Sequence, residues 1–329
     1  MFGYLRLKLF NVMFRTPVDI SKSNLKITYE DSVMSLGSCF AENMGKKMAD
    51  AYFQLDINPF GVIYNPISIS NSIKFMIQNK QFAGEDLFER NSLWQSFSHS
   101  SLFSDSTKDS CLNKINSRLE YSGRFLRKTN VLIITFGTAW VFESVKSGKV
   151  VSNCHKLPAS EFIRRRLTVE EIVDEYTTLI QKLQTLAPDI NIIFSVSPIR
   201  HWKDGAHENN ISKSVLLIAI DKLNRLFPQV HYFPAYEILL DELRDYRFYA
   251  SDMQHPSEVA IDYIWKCFSE TYFSESTVQL YKKLEQLTAD LAHRPIHPDS
   301  SEYRLFLNKI EERKDKIRFE YPFLSNRIK

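Results

Sequence analysis

One uncharged apolar segment constrains the fold of this chain more than any other. Residues 130–137 read Asn-Val-Leu-Ile-Ile-Thr-Phe-Gly, a short β-branched run that ends at a glycine. A strand that is apolar on both faces is typical of the centre of a parallel sheet, where helices cover both sides. Segments 33–36 and 191–196 have the same character. We therefore predict an α/β sheet whose central strands are buried on both faces.

Helical patterns separate the predicted strands along the chain. Apolar residues recur at three-to-four spacing after the strands, and Thr168 with Glu171 forms the Thr-x-x-Glu pattern of a capping box. We predict helices over about 40–52, 66–76, 106–126, 168–186, 212–227 (with Ile218 and Leu226 buried) and 256–272. Strands that alternate with helices indicate a three-layer α/β/α sandwich with a central, mostly parallel sheet.

The two ends of the chain differ from this alternating centre. Residues 275–329 carry an amphipathic helical pattern that Pro295 and Pro298 interrupt. We therefore predict a lead-in over 1–15, an α/β domain over 16–274 and a C-terminal helical extension over 275–329. Met13 begins Met-Phe-Arg-Thr-Pro-Val and is a candidate start site, which predicts a native protein without residues 1–12.

Charge and cysteine content argue against several classes of function. The 329 residues carry a formal net charge of +3 and their basic residues are scattered, so no nucleic-acid partner is predicted. The four cysteines form no CxxC pair and lack the spacing of zinc ligands, so no metal or other cofactor is predicted. No apolar run reaches the length of a membrane span and no signal-peptide pattern is found, so we expect a cytoplasmic protein.

The segment Gly37-Ser38-Cys39 is the stretch with the most evident chemistry. It follows the strand that ends at Leu36 and precedes a predicted helix, so two nucleophile-capable side chains lie at a tight turn into a helix N-terminus. Free backbone N–H groups there favour an anion, which predicts a more readily ionised thiol and donors beside a reacting oxygen. Ser38 and Cys39 are both candidate nucleophiles. The alternative is that they only cap the helix and fill the core.

A second candidate motif lies near the other end of the predicted α/β domain. Residues 252–255 read Asp-Met-Gln-His, directly before a predicted helix. A carboxylate three residues from an imidazole can hold the ring in one tautomer and stabilise its cation, as the base of an acyl transfer requires. The pattern predicts that Asp252 orients His255.

Further candidates follow the other predicted strands. The loops after the carboxyl ends of parallel strands build the sites of such sheets, and here they contain Gly61, Gly137, Thr138 and Arg200. Arg200 and the adjacent His201 are candidates for binding an anionic or sugar substrate. The alternative is that both are surface residues beside a helix.

Two other histidines lie in or near a segment that is harder to interpret. Residues 78–126 are rich in Ser, Phe and charge, and we predict an insertion over the active face. His99 within it is a candidate to line the substrate pocket, with a solvated loop histidine as the alternative. Cys154 and His155 suggest a rival dyad, but neighbours on a strand point to opposite faces and do not activate each other.

The order of the motifs, with the nucleophile turn first and Asp-x-x-His last, resembles that of the SGNH/GDSL hydrolases. Residues 37–41, Gly-Ser-Cys-Phe-Ala, spell the motif that names the GSCFA family, a branch of that superfamily. The likeness extends over about 14–300 and implies an SGNH-like sandwich. It includes Asn-Pro-Phe-Gly at 58–61, Thr-Phe-Gly-Thr at 135–138, Asn-Cys-His-Lys at 153–156, Ser-Pro-Ile-Arg at 197–200 and Asp-Met-Gln-His at 252–255.

The resemblance assigns the nucleophile by register. SGNH enzymes begin with Gly-Asp-Ser, and setting Gly37 on that glycine sets Cys39 on the nucleophilic serine. A one-residue shift of the turn would make Ser38 the nucleophile instead. Thiolates and serine alkoxides are both competent acyl nucleophiles, so both assignments are chemically sound.

The resemblance assigns the oxyanion donors less evenly. It implies that the Gly61 N–H is one of them. SGNH enzymes supply another from the asparagine of a Gly-x-Asn block, but here Gly137 is followed by Thr138 and alanine. Thr138 or Asn153 is the candidate replacement. Removal of one such donor costs about 3 kcal/mol in other enzymes.

The resemblance implies an esterase or acyltransferase that acts on an oxygen ester through a covalent acyl-enzyme. Its substrate would be an acyl-ester small molecule or a glycan such as an acylated carbohydrate. Two other classes remain open. One is an inactive SGNH-like glycan-binding or scaffold module, which the missing asparagine favours. The other is a thiol redox protein that uses Cys39, although no resolving cysteine lies near it in sequence.

Overall fold

The computed structural model describes residues 15–328, so the predicted start at Met13 and nearly all of the predicted lead-in lie outside the described residues. The strands within that range are β1 (Ser32–Gly37), β2 (Gln54–Ile57), β3 (Phe88–Arg90), β4 (Leu93–Gln95), β5 (Val131–Phe136), β6 (Trp140–Ser144), β7 (Val150–Val151), β8 (Phe162–Arg166), β9 (Asn191–Val196) and β10 (Val230–Tyr232). The helices are α1 (Cys39–Asp50), α2 (Pro66–Ile77), α3 (Lys108–Leu126), α4 (Val169–Leu186), α5 (Gly205–Leu226), α6 (Ala235–Glu237), α7 (Glu258–Tyr272), α8 (Glu275–Ala292) and α9 (Ser301–Glu320).

The main sheet contains five strands in the order β10-β9-β5-β1-β2, and every neighbouring pair is parallel. The three strands predicted from uncharged apolar runs are its three central ones. β5 lies in the middle, with Leu132 opposite Met34 on one side and opposite Ile192 on the other. The carboxyl ends of β1, β5 and β9 therefore meet at one edge of the sheet.

Helices cover both faces of the sheet, because successive residues of each strand point to opposite sides. Leu132 and Ile134 of β5 belong to one core cluster, which α2, α3, α4 and α5 complete. Val131 and Ile133 belong to a second cluster, which is formed with residues of α1 and α6 to α9. The predicted three-layer α/β/α sandwich is confirmed.

The C-terminal helices pack against the second face of the sheet. Leu284 of α8 and Ile317 of α9 belong to the same buried cluster as Val131. At the far end of the chain, Arg327 donates to the backbone oxygen of Tyr29 at 2.8 Å. The predicted C-terminal helical extension is therefore present, while the boundary predicted at 274/275 stays a prediction.

Smaller elements sit outside the main sheet. β3 and β4 form a hairpin, and β6 pairs with both β7 and β8 in a three-stranded antiparallel sheet. The predicted capping box at Thr168 is present at the start of α4. Within residues 15–328, none of the helices combines the length and apolar character that crossing a bilayer would need.

The sequence prediction was wrong about the start and the buried face of α5. This helix begins at Gly205, seven residues before the predicted start. Ile218 and Leu226 are exposed, with 50% and 59% of their surface accessible, whereas Leu216 and Leu223 are buried. The apolar residues of this helix lie on more than one face, so their spacing alone did not identify the side that packs on the sheet.

Candidate active site

A cleft of about 380 Å³ opens at the carboxyl edge of the central strands. Cys39 enters it from the start of α1, Thr138 from the loop after β5, and His201 from the loop after β9. His255 reaches it from the loop before α7, and the small β6–β8 sheet adds aromatic and basic side chains. No residue of 78–126 lines this cleft. The placement of this segment over the active face stays a prediction: its Ser100 packs against Gly61 in the loop after β2, while residues of β6 and β8 line the cleft.

The turn between β1 and α1 requires a glycine at its first position. Gly37 has a φ of +142°, and a Cβ on it would lie 2.2 Å from the Thr135 backbone oxygen of the adjacent strand. The Gly37 N–H donates to Asn58 Oδ1 at 2.9 Å, which fixes the turn against the loop after β2. The close approach of two strands and an abrupt change of direction thus place Ser38 and Cys39 at the end of the sheet.

The two candidate nucleophiles occupy different environments. Ser38 is 1% exposed and occupies the N-cap position of α1, but its buried hydroxyl makes no capping bond and has no hydrogen-bond partner among residues 15–328. Cys39 is partly exposed and lines the cleft. A substrate that enters the cleft therefore meets the thiol of Cys39, whereas the hydroxyl of Ser38 is covered.

The Cys39 thiol is harder to ionise than the sequence predicted. Burial raises its pKa, and this effect outweighs hydrogen bonds from the N–H groups of Cys39 and Phe40 and the charge of Lys213, which lower it. Glu42 in the first turn of α1 raises the pKa further. The expectation of an easily ionised thiol was wrong in direction, because the helix N-terminus does not compensate for the loss of water. A nucleophilic role would therefore need a base.

Asp252 and His255 form a hydrogen-bonded pair at the rim of the cleft. His255 Nδ1 lies 2.5 Å from Asp252 Oδ2, and Asp252 Oδ1 accepts from the N–H groups of Gln254 and His255 at 2.9 Å. The hydrogen bonds from those two N–H groups, followed by the one from the ring, lower the pKa of Asp252 to about 2. The Asp-x-x-His spacing thus predicted the pairing. Because Nδ1 is engaged, Nε2 is the ring nitrogen left for other chemistry.

The structure brings Cys39 and His255 to the same cleft. Among residues 15–328, no hydrogen bond joins the Cys39 sulfur to the His255 ring, which is paired with Asp252. Part of the His255 side chain, 48% of its surface, is exposed. Catalytic hydrogen bonds often form only when a substrate is bound, so the missing bond is compatible with His255 as the base.

Three predicted oxyanion donors already have partners. The Gly61 N–H donates to the Asn58 backbone oxygen at 2.7 Å, and the N–H groups of Gly137 and Thr138 both donate to the Tyr64 backbone oxygen. Gly61 also packs against Ser100, since a Cβ at position 61 would lie 1.9 Å from the Ser100 hydroxyl. The geometry thus contradicts the donor role for Gly61 and for the backbone of residues 137–138.

Other N–H groups are better placed to bind an oxyanion. Those of Cys39 and Phe40 lie in the first turn of α1, where the helix offers no carbonyl to accept them. The Thr138 side chain also lines the cleft, and its hydroxyl lies 3.1 Å from that of Ser212. The helix N-terminus therefore supplies the available donors, because the Thr138 hydroxyl also accepts from the Trp140 N–H at 3.1 Å.

Two predicted site residues lie away from the cleft. His99 is 1% exposed, its ring stacks on Phe60 at 4.6 Å, and burial lowers its pKa to about 3. Asn153 accepts from the His155 N–H at 2.8 Å and donates to Ser101 at 3.3 Å. Neither residue lines the cleft, so the predictions of a pocket-lining His99 and of Asn153 as an oxyanion donor were wrong. His99 is not the solvated histidine of the alternative prediction, since aromatic rings surround it.

Arg200 and His201 do line the cleft. Arg200 donates to Asn210 Oδ1 at 2.6 Å, while its Nε is buried without a partner. The His201 ring packs edge-on against Tyr64, and burial lowers the pKa of His201 to about 4. His201 is therefore a neutral ring at pH 7.

The sequence analysis missed Lys213 of α5. Its side chain is 1% exposed, and Nζ donates to the backbone oxygens of Gly137 and Ser197 at 2.7 Å each. Burial, and then the charge of Arg200, lower its pKa to about 7. No carboxylate pairs with it among the described residues. Spacing contained a signal: Lys213 is three residues before the buried Leu216 and seven before the buried Ile220, so it lies on their face of the helix.

The chain is a parallel α/β/α sandwich. Its candidate site, with a cysteine at a helix start and a histidine–aspartate pair, lies at the carboxyl ends of the strands, where folds of this class have their functional sites. More specifically, the chain belongs to the GSCFA family. The model of the GSCFA family matches residues 32–268, and that of the GSCFA domain protein, C-terminal domain, matches residues 284–327. No curated protein sequence matches the chain.

Two solved structures have a distant likeness to the chain. One is an acetyl xylan esterase, Est2A, from the rumen bacterium Butyrivibrio proteoclasticus, with 13% sequence identity and a TM-score of 0.37. That match covers 80% of this chain and 66% of the esterase. The other is a Clostridium thermocellum family 3 carbohydrate esterase, with 10% identity and a TM-score of 0.32 over 77% of this chain and 98% of that one.

Proposed function

We propose that this chain catalyses acyl transfer from an oxygen ester, through a thioester on Cys39, to water or to an acceptor hydroxyl. The observation that carries the proposal is that one cleft is lined by a thiol at a helix N-terminus and by a histidine whose other ring nitrogen is bound to Asp252. Nucleophile, base and orienting acid are the three parts that such chemistry requires.

In the first half-reaction, His255 Nε2 takes the proton of the Cys39 thiol as the sulfur attacks the carbonyl carbon of the ester. The raised pKa of the thiol makes this proton transfer necessary at neutral pH. The N–H groups of Cys39 and Phe40 bind the resulting oxyanion. When the C–O bond breaks, the His255 cation returns the proton to the departing oxygen and leaves a thioester on Cys39.

In the second half-reaction, His255 removes a proton from water or an acceptor hydroxyl, whose oxygen attacks the thioester carbon. The C–S bond breaks and the proton passes back to the sulfur, which restores the thiol. Asp252 stabilises the His255 cation in both halves and keeps Nδ1 engaged. Lys213, which holds the loops after β5 and β9 by their backbone oxygens, fixes the floor of the cleft.

The test is to trap the acyl group. The protein is mixed with a short-chain aryl ester, quenched and examined by peptide mass spectrometry, alongside Cys39→Ala, Ser38→Ala and His255→Ala. Cys154→Ala is the matched control, because Cys154 is also partly exposed and burial also raises its pKa. We expect an adduct on Cys39 that persists in Cys154→Ala and Ser38→Ala and is lost in His255→Ala. An adduct on Ser38, or none in the unmodified protein, would contradict the proposal.

A second function is favoured by the engaged N–H groups of Gly61, Gly137 and Thr138. With those donors unavailable, the cleft supplies fewer oxyanion contacts than the superfamily pattern implies, as in a glycan-binding module that has lost turnover. Such a module predicts binding of an acylated or plain oligosaccharide without product. It also predicts that His255→Ala leaves the affinity nearly unchanged.

A further inference from the structure

The cleft beside Cys39 carries more positive than negative charge. Its lining includes Arg164, Arg200 and Lys203, and Asp204 is its one lining carboxylate. Arg164 binds Asp204 with both terminal nitrogens at 2.6 Å, so that these two charges compensate each other. His201 is neutral at pH 7 because burial lowers its pKa. Arg200 and Lys203 therefore remain as the lining cations without an ion-pair partner among residues 15–328, although the charge of Lys203 also helps to lower the pKa of Asp204.

The nearby carboxylates outside the lining do not offset these two charges. Glu208 pairs with Arg166 at 2.6 Å, and Asp252 pairs with His255. Glu42 acts on Cys39 and Tyr64 but makes no ion pair with Arg200 or Lys203. Among residues 15–328, neither cation has an acidic side chain within salt-bridge distance.

Neutral neighbours hold the two cations in place. Arg200 donates to the amide oxygen of Asn210, and its guanidinium lies 5.8 Å from the centre of the Trp202 ring. Lys203 Nζ lies 5.4 Å from the centre of the Phe142 ring. Aromatic rings and an amide orient a cation without neutralising it. The Arg200 Nε is in addition a buried donor without an acceptor in the part of the chain that the structure describes.

We propose that the substrate carries an anionic oxygen group, such as a carboxylate, sulfate or phosphate, close to the ester, and that Arg200 and Lys203 bind it. This inference rests on the proposed acyl transfer at Cys39, because it names the class of ester which that site would accept. A guanidinium offers two parallel donors that match such a group, and the lysine adds a point charge. The same charges attract the substrate from solution, an effect that salt weakens.

The test compares two esters that differ only in charge, 4-acetoxybenzoate and its methyl ester. For each, kcat/KM is measured with the unmodified protein, Arg200→Gln, Lys203→Gln and the double variant. Arg225→Gln is the control, because Arg225 pairs with Asp221 on the exposed face of α5 and its loss changes the net charge equally. We expect the ratio of anionic to neutral kcat/KM to fall about tenfold in each single variant and further in the double one. Arg225→Gln is expected to keep the ratio.

A second measurement does not depend on turnover. Benzoate, phenyl sulfate, phenyl phosphate and neutral benzyl alcohol are compared for their ability to slow alkylation of Cys39 by iodoacetamide. Protection by the anions, lost in Arg200→Gln, supports the inference and shows which anion fits best. If both esters acylate Cys39 equally and the variants keep the ratio of anionic to neutral kcat/KM, the anion preference is overturned and the proposed acyl transfer stands. Protection by anions without acylation of Cys39 by either ester would overturn the acyl transfer alone.

Discussion

Two regions of this molecule contain both cysteine and histidine, and the histidines of the two regions differ in their exposure and in their hydrogen-bond partners. At the cleft, half of the His255 side chain is exposed and Asp252 accepts from its ring. In a second region, around Ser96, His99 and His155 are buried and both contact that residue, with Nδ1 of His99 on its hydroxyl and Nε2 of His155 on its backbone oxygen. Burial lowers the pKa of both buried rings, so neither is a useful proton carrier near pH 7. The comparison shows that a carboxylate partner and access to solvent distinguish a candidate base from a packing residue.

The largest expected difference between the regions concerns their cysteines. Cys39→Ala removes the proposed nucleophile and is expected to lower ester turnover at least about a thousandfold. Cys154→Ala removes a thiol of similar exposure and is expected to change turnover less than about twofold. Steady-state rates with an aryl acetate measure both. Comparable losses in the two variants would remove the distinction between the regions.

The next effect concerns the histidines. His255→Ala is expected to lower kcat between about a hundredfold and ten-thousandfold, because the thiol loses its base. His155→Ala is expected to lower the melting temperature through the lost bond to Ser96 and to leave kcat per folded molecule unchanged. Activity must therefore be normalised to the folded fraction, measured by circular dichroism. A His155 variant that is fully folded and inactive would move the chemistry to the region around Ser96.

A smaller effect is expected from the cation below the cleft. Lys213→Met releases the backbone oxygens of Gly137 and Ser197, which anchor the loops after β5 and β9 at the cleft. We expect about a tenfold loss of kcat/KM, because the residues that line the cleft from these two loops lose their support. Lys222→Met is the control, since Lys222 lies on the same helix but pairs with Glu170 at the surface. An unchanged kcat/KM in folded Lys213→Met would show that Lys213 only supports the fold.

Lys213 also predicts how stability depends on pH. Its pKa is about 7 in the folded protein and that of an ordinary lysine when unfolded, so between these values the unfolded chain binds the extra proton. Lys213 therefore makes the free energy of unfolding increase as the pH rises over this interval. Denaturant unfolding at several pH values should show this gain as a difference between the unmodified protein and Lys213→Met.

The smallest expected effect on turnover comes from substitution of the buried His99. The pKa of His99 is lowered to about 3, so below about pH 6.5 the unfolded chain takes up a proton that the folded chain refuses. Stability is expected to fall from this source by about 1.4 kcal/mol per pH unit between about 6.5 and 3. His99→Phe is expected to flatten the acid limb of the stability curve and to keep kcat. An equally steep limb in this variant would place the acid sensitivity elsewhere.

The sequence predicted those parts of the molecule that depend on local composition. The strand at 130–137 was recognisable because it lacks charge, and the pairing of Asp252 with His255 because three residues of chain bring the groups together. The environment of His99 could not be predicted in this way, because the rings that surround it, Phe60 and Phe103, come from separate loops. The Gly61 N–H was assigned by resemblance, and only the structure shows the turn to Asn58 that occupies it. Lys213 was within reach of the sequence, since it lies on the apolar face of α5.

The contacts that join the two ends of the chain have a consequence for biosynthesis. Ile27 is bridged to Phe273, and Arg327 binds the backbone oxygen of Tyr29, which is 298 residues away. Cys39 follows soon after Tyr29, so the proposed nucleophile leaves the ribosome before α8 and α9, which complete its face of the sheet. Until then that apolar surface stays open to solvent and to other chains. The growing polypeptide thus has its longest exposure to chaperones on the side that carries α1.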